Sequence, residues 1–194
     1  MLDAPVRRLL ASPVNRMTAN MSRVGISPNT ITIAGFFMGI AATFFVASAQ
    51  YPQAVLFLAL NRFADIVDGI LARSRGQTPV GGFLDASLDL LVYAVVPLGF
   101  ALARQQDALA SMFLVVGLMM AAIPPLAYRV FAQRKDDLFV LCGHSEAFIA
   151  LSLMCLAERA VFTPLAYLYA GLCFFSCSLS IASAINKLRA PLRP

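Results

Sequence analysis

Apolar residues run along this chain in long blocks, and polar residues gather in the short gaps between them. Six blocks approach the ~20 apolar residues that a helix needs to cross a hydrocarbon core of ~30 Å. They run over residues 29–50, 53–74, 82–103, 108–131, 138–157 and 163–187. The predicted fold is therefore all-α: a polytopic membrane protein of six transmembrane helices. The gaps are too short to hold a second folded unit. Residues 1–194 thus read as one membrane domain, with 1–26 a juxtamembrane segment and 27–188 the six-helix bundle.

Punctuation supports these limits. In "SPNT" at 27–30, Ser27 takes the N-cap and Pro28 the first helical position of span one. "GQTPVGG" at 76–82 is a turn between spans two and three. Pro97, Pro124, Pro125 and Pro164 fall in or near spans, where membrane helices tolerate them as kinks.

The N-terminal "MLDAPVRRLLASPVNRMTANMSRVG" lacks the apolar core of a signal peptide. Its Arg7, Arg8, Arg16 and Arg23 alternate with Leu9, Leu10, Val14 and Met17. That pattern predicts a short amphipathic helix lying on an anionic membrane surface, or else a basic tail, since Pro5 and Pro13 interrupt it.

Composition agrees with the blocks: 60% of the 194 residues are hydrophobic and 13% charged, and mean hydropathy is +0.78. A soluble domain has a much more polar composition. The basic residues orient the chain. With the N-terminus cytoplasmic, one side holds Arg7, Arg8, Arg16, Arg23, Arg73, Arg75, Arg129, Arg134, Lys135, Lys187, Arg189 and Arg193, twelve of 15. The other side holds Arg104 and Arg159, while Arg62 lies inside span two. That asymmetry predicts both termini in the cytoplasm. Cys142, Cys155, Cys173 and Cys177 lie in apolar runs without C-x-x-C spacing and read as core thiols.

The chemistry concentrates in "DIVDGILARSRGQTPVGGFLDASLD" at 65–89. Asp65 and Asp68 are three apart on one helix, and Asp85 and Asp89 four apart on the next, so each pair shares a face. The turn between them predicts antiparallel neighbours whose four carboxylates converge. Each charge costs at least ~2.5–3.5 kcal/mol to insert, and four together repel. Either they pair with Arg62, Arg73 and Arg75, or two divalent cations neutralise them. An all-oxygen donor set suits Mg²⁺ or Mn²⁺, and paired metals commonly serve substitution at phosphorus. Gly69 and Ala72 leave room for a ligand or a neighbouring backbone. Gly81 and Gly82 open a helix N-terminus that favours an anion, and Arg73 can reach a phosphate.

The run Asp65-x2-Asp68-Gly69-x2-Ala72-Arg73-x7-Gly81-x3-Asp85-x3-Asp89 closely resembles the signature of the class I CDP-alcohol phosphotransferases, the CDP-alcohol phosphatidyltransferases. "SPNTIT" at 27–32 is similar to the start of that family's first membrane helix. The resemblance implies transfer of a substituted phosphate, usually phosphatidyl from CDP-diacylglycerol, to an acceptor alcohol with release of CMP. It implies two divalent ions, with Asp65, Asp68 and Asp85 on the first and Asp65, Asp85 and Asp89 around the second. Asp89 matches the family's general base. Asn29, Thr30, Ile31, Thr32, Gly69, Arg73 and Thr78 match positions at the CDP moiety. The expected setting is the inner membrane of a bacterium, as a homodimer among membrane lipids, with the site on the cytoplasmic side and no nucleic-acid partner.

For the acceptor pocket, two groups stand out. Arg129, Arg134 and Lys135 are placed to bind a phosphorylated acceptor, or form an ordinary positive-inside loop. His144 and Glu146, in "GHSE" at 143–146, are polar residues in an apolar run that either meet the acceptor or pair between helices. Arg62 is a substrate contact or the counter-ion of Asp65. The competing class is a small cation transporter or channel using the same carboxylates. It leaves Gly69, Ala72 and Arg73 unexplained, and the chain shows no inverted repeat.

Overall fold

The computed structural model describes residues 27–132 and 138–189. Every regular element among them is helical: α1 Pro28–Ala47, α2 Tyr51–Arg75, α3 Pro79–Ala103, a 3₁₀ turn Gln105–Asp107, α4 Ala108–Ala132, α5 His144–Leu156 and α6 Arg159–Arg189. The expected interfacial helix over 1–26 lies outside the described residues.

Four helical stretches are long and apolar enough to cross a membrane: Pro28–Ala47, Pro79–Ala103, Gln105–Ala132 and Arg159–Arg189. Two expected spans are of another kind. α2 has the length, at 25 residues, but carries Arg62, Asp65, Asp68, Arg73 and Arg75. The block at 138–157 is helical only over the 13 residues of α5, about 20 Å at 1.5 Å per residue.

Ser27 is the N-cap of α1 and Pro28 its first residue, as the sequence predicts, although the Ser27 side chain makes no capping bond. Gly76 ends α2 at φ +92°, in the region open to a residue without Cβ. Two residues later Thr78 caps α3, its Oγ1 accepting from Gly81 N at 3.1 Å.

The helices run alternately up and down. At one end, Arg104 donates to Tyr51 Oη and Ala157 O, both at 3.1 Å, and its guanidinium lies 4.6 Å from the Phe162 ring centroid. This ties the start of α2 to the ends of α3 and α5. At the other end lie the aspartates.

Packing corrects one expectation. α2 and α3 make little direct contact; each packs along α1 instead, while α4 pairs with α6 and α5 leans on α2. Small residues allow this close approach. A Cβ on Gly35 would come 2.9 Å from Ala64 Cβ, one on Gly39 2.6 Å from Val92 Cγ2, and one on Gly99 2.9 Å from Thr43 O. Asn61 Nδ2 donates to Gly35 O at 2.9 Å. α1 thus wedges α2 and α3 apart and leaves a cleft between them at the aspartate end. The four cysteines are free thiols, three of them buried.

Candidate active site

α2 presents Asp65 and Asp68 to the cleft, and α3 presents Asp85 and Asp89. The cleft is also lined by Thr32, Gly35, Phe36, Asn61, Leu88 and Val92. One carboxylate oxygen from each of Asp65, Asp68 and Asp85 lies within 4.8 Å of the others. Asp68 is 4% exposed, and its Oδ2 has no hydrogen-bond partner among the described residues. An orphaned carboxylate oxygen facing two more carboxylates fits a hard divalent cation, because such an ion supplies the missing partner and cancels the repulsion.

Asp89 stands slightly apart. Its Oδ2 lies 2.9 Å from His144 Nε2, and the His144 ring sits 5.6 Å, centroid to centroid, from Tyr93. Arg62 Nη1 is ion-paired to Asp65 Oδ2, and Arg62 Nη2 donates to Ser145 Oγ at 3.0 Å. Arg62 is therefore the counter-ion of Asp65. Asp65 and Asp89 are shared with a second, adjoining recess lined by Leu58, Arg62, Tyr93, His144, Phe148 and Leu151.

The residues expected at the nucleotide gather near the α1 and α3 N-termini. A Cβ on Gly81 would lie 3.0 Å from Asn29 Oδ1 and from Thr78 Oγ1, which brings Asn29, Thr78 and Gly81 together. Thr30 is exposed, and Thr32 Oγ1 donates to Pro28 O at 3.1 Å. Ile31 turns inward to a small apolar cluster with Ala64, Ile66, Val67, Ile70 and Leu71, so its side chain packs α1 on α2. The Arg73 guanidinium folds over Gly69, where a Cβ would meet Nη1 at 3.4 Å.

Of the residues expected at an acceptor, Arg129 is exposed in the last turn of α4, and Arg134 and Lys135 lie outside the described residues. His144 reaches Asp89. Glu146 accepts a hydrogen bond from Gly143 N at 3.2 Å, capping α5. Tyr93 escaped the sequence reading. Its signal was there, because it follows Asp89 by four residues and so shares its face.

A family model described as CDP-alcohol phosphatidyltransferase matches residues 25–181. The chain belongs to the CDP-alcohol phosphatidyltransferase family. Within the family it is 37% identical over 137 residues to the inner membrane protein YnjF of Escherichia coli, covering 70% of this chain and 66% of YnjF. It is 35% identical over 98 residues to an archaetidylinositol phosphate synthase of Pyrococcus horikoshii, covering 50% of this chain and 52% of that one. The fold is similar to that of the Mycobacterium tuberculosis phosphatidylinositol phosphate synthase PgsA1, solved with CDP-DAG bound. The TM-score is 0.65 at 19% identity, covering 90% of this chain and 91% of that one. A second PgsA1 structure, in complex with manganese and citrate, gives the same TM-score and covers 87% of that chain. A cation transporter or channel, the competing reading of the intramembrane carboxylates, has no support in this family match.

Proposed function

We propose that this chain is a metal-dependent membrane transferase that moves a phosphatidyl group from a CDP-linked lipid, CDP-diacylglycerol foremost, to an acceptor alcohol with release of CMP. The observation that carries the reading is the convergence of Asp65, Asp68 and Asp85, with ligand oxygens within 4.8 Å of one another, inside the family signature. Asp65, Asp68 and Asp85 would hold one Mg²⁺ or Mn²⁺, and Asp65, Asp85 and Asp89 would border a second. Bound cations of this kind neutralise pyrophosphate oxygens and stabilise CMP as a leaving group.

The chain's own residues do the rest. Asn29, Thr30, Thr32, Gly69, Arg73 and Thr78 form the nucleotide face, Ile31 holding that stretch in place by packing α1 on α2, with Gly81 giving close access to the start of α3. Asp89 takes the proton of the acceptor hydroxyl. The acceptor oxygen then forms a bond to the lipid-side phosphorus as the bond from that phosphorus to the CMP oxygen breaks. Arg129, Arg134 and Lys135 are the candidate acceptor residues; of the other two expected there, Glu146 caps α5 and His144 meets Asp89. PgsA1 and the Pyrococcus relative carry names that specify inositol phosphate products, so an inositol phosphate is the first acceptor to try.

The same reading gives one domain of six membrane passes, with α2 and α5 completing the four long apolar helices. It adds an interfacial helix over 1–26, both termini and the site on the cytoplasmic side of an inner membrane, and a homodimer. CDP-activated donors and Mg²⁺ are available on that side, while acyl chains stay in the bilayer.

The test is CMP release by purified protein given CDP-diacylglycerol, Mg²⁺ or Mn²⁺, and a panel of inositol phosphate, glycerol 3-phosphate, serine and choline. Metal-dependent release with one acceptor is expected. No release with any acceptor or CDP-alcohol removes the proposal.

A further inference from the structure

The signature residues all lie on α2 and α3, yet the first turn of α5 reaches Asp89 directly and Asp65 through Arg62. His144 Nε2 lies 2.9 Å from Asp89 Oδ2. The next residue, Ser145, is 4% exposed and accepts from Arg62, which is ion-paired to Asp65. Consecutive residues of one helix thus bear on a carboxylate of each signature helix, Asp89 directly and Asp65 through Arg62. The start of α5 is itself anchored: Leu141 N and Cys142 N donate to Ser176 Oγ of α6 at 3.1 and 3.2 Å, and Glu146 caps Gly143. Because α2 and α3 make little direct contact, this brace spans the cleft that α1 leaves open between them.

We infer that His144 is a positioning residue for Asp89. An ionised carboxylate only accepts hydrogen bonds, so the proton in this pair sits on Nε2. By donating to Oδ2, His144 fixes the carboxylate rotamer and leaves Oδ1 as the oxygen that meets the acceptor hydroxyl. The role rests on the transferase reading above, in which Asp89 is the base. It differs from an acceptor contact, because His144 acts through Asp89.

Two variants separate positioning from packing. His144→Gln keeps an N–H donor at similar reach. His144→Phe keeps a ring against Tyr93 and removes the donor. Losing the partner of a reacting or ligating group typically costs about 10–100-fold. The expected result is therefore kcat within about 5-fold of the parent for His144→Gln and down about 30-fold for His144→Phe. The KM for the CDP donor stays unchanged in both. In detergent, both variants retain the rise in melting temperature produced by Mn²⁺ with CDP, which reads binding and folding without turnover.

A His144→Phe enzyme as fast as or faster than His144→Gln overturns the inference. So does a change confined to donor KM, or loss of the Mn²⁺–CDP melting shift in both variants. A parent protein that releases no CMP with any acceptor defeats the transferase reading as well, so the two failures are told apart by the parent.

Discussion

Asp68 is the only one of the four signature aspartates that is fully buried, and it has an orphaned oxygen. Ionising a buried carboxylate with one oxygen left without a partner is costly, so in the absence of a cation this side chain opposes folding. Asp68→Asn removes that opposition along with a proposed metal ligand. Two results follow: in chelator the variant melts at or above the temperature of the parent, and with Mn²⁺ it loses the parent's metal-induced rise. Metal-dependent CMP release falls by at least about 100-fold. A variant that keeps the full metal-induced rise removes Asp68 from the ligand set. Asp89→Asn behaves differently, because Asp89 faces His144 and sits apart from the three-oxygen cluster. Turnover is abolished while CDP binding, measured by calorimetry, is largely retained. At this scale the aspartates were legible because i+3 and i+4 spacing alone puts a pair on one face. The His144–Asp89 pair was not. It joins residues 55 apart, and its geometry depends on where α5 begins.

At the scale of elements, the site depends on how closely α1 lies against its two neighbours. Val92 is 5% exposed and β-branched, so it has little rotamer freedom to yield. A Cβ on Gly39 would stand 2.6 Å from its Cγ2. Gly39→Ala therefore pushes α3 off α1, costing about 1–3 kcal/mol, and moves Asp89, one turn before Val92. Both the melting temperature and kcat fall. Gly171→Ala is the control, since its Cβ would meet nothing within 4 Å; its effect stays within about 0.5 kcal/mol. Equal effects of the two substitutions would contradict the wedge. The turn at 76–82 correctly signalled two antiparallel helices, but not that a third separates them. A turn reports chain direction, whereas which helices touch depends on surfaces far apart in sequence. The spacing Gly35-x3-Gly39 was the local trace of that contact, as small residues four apart let helix backbones approach.

At the scale of the whole molecule, apolar block length captured the helix order, because a bilayer demands long apolar helices. It overstated the uniformity of the blocks. α2 trades hydropathy for the charges of the site, and the block at 138–157 spends its first six residues in non-helical chain. That segment carries the backbone donors that dock on Ser176, and so it sets the depth at which His144 enters. The alternation of the helices puts the 76–78 turn and the Gln105–Asp107 turn at opposite ends of the bundle. In the proposed orientation, the basic residues would assign those ends to opposite sides of the membrane.

Gln77 and Gln105 are both exposed and make suitable reporters. Gln77→Cys is expected to react with a membrane-impermeant maleimide in inside-out vesicles and not in intact spheroplasts. Gln105→Cys shows the reverse, each read against the labelling of the four native cysteines. The opposite pattern would put the aspartates on the outer face, away from CDP-activated donors. A transferase there would lack its substrate, so the labelling tests the orientation and the proposed chemistry together.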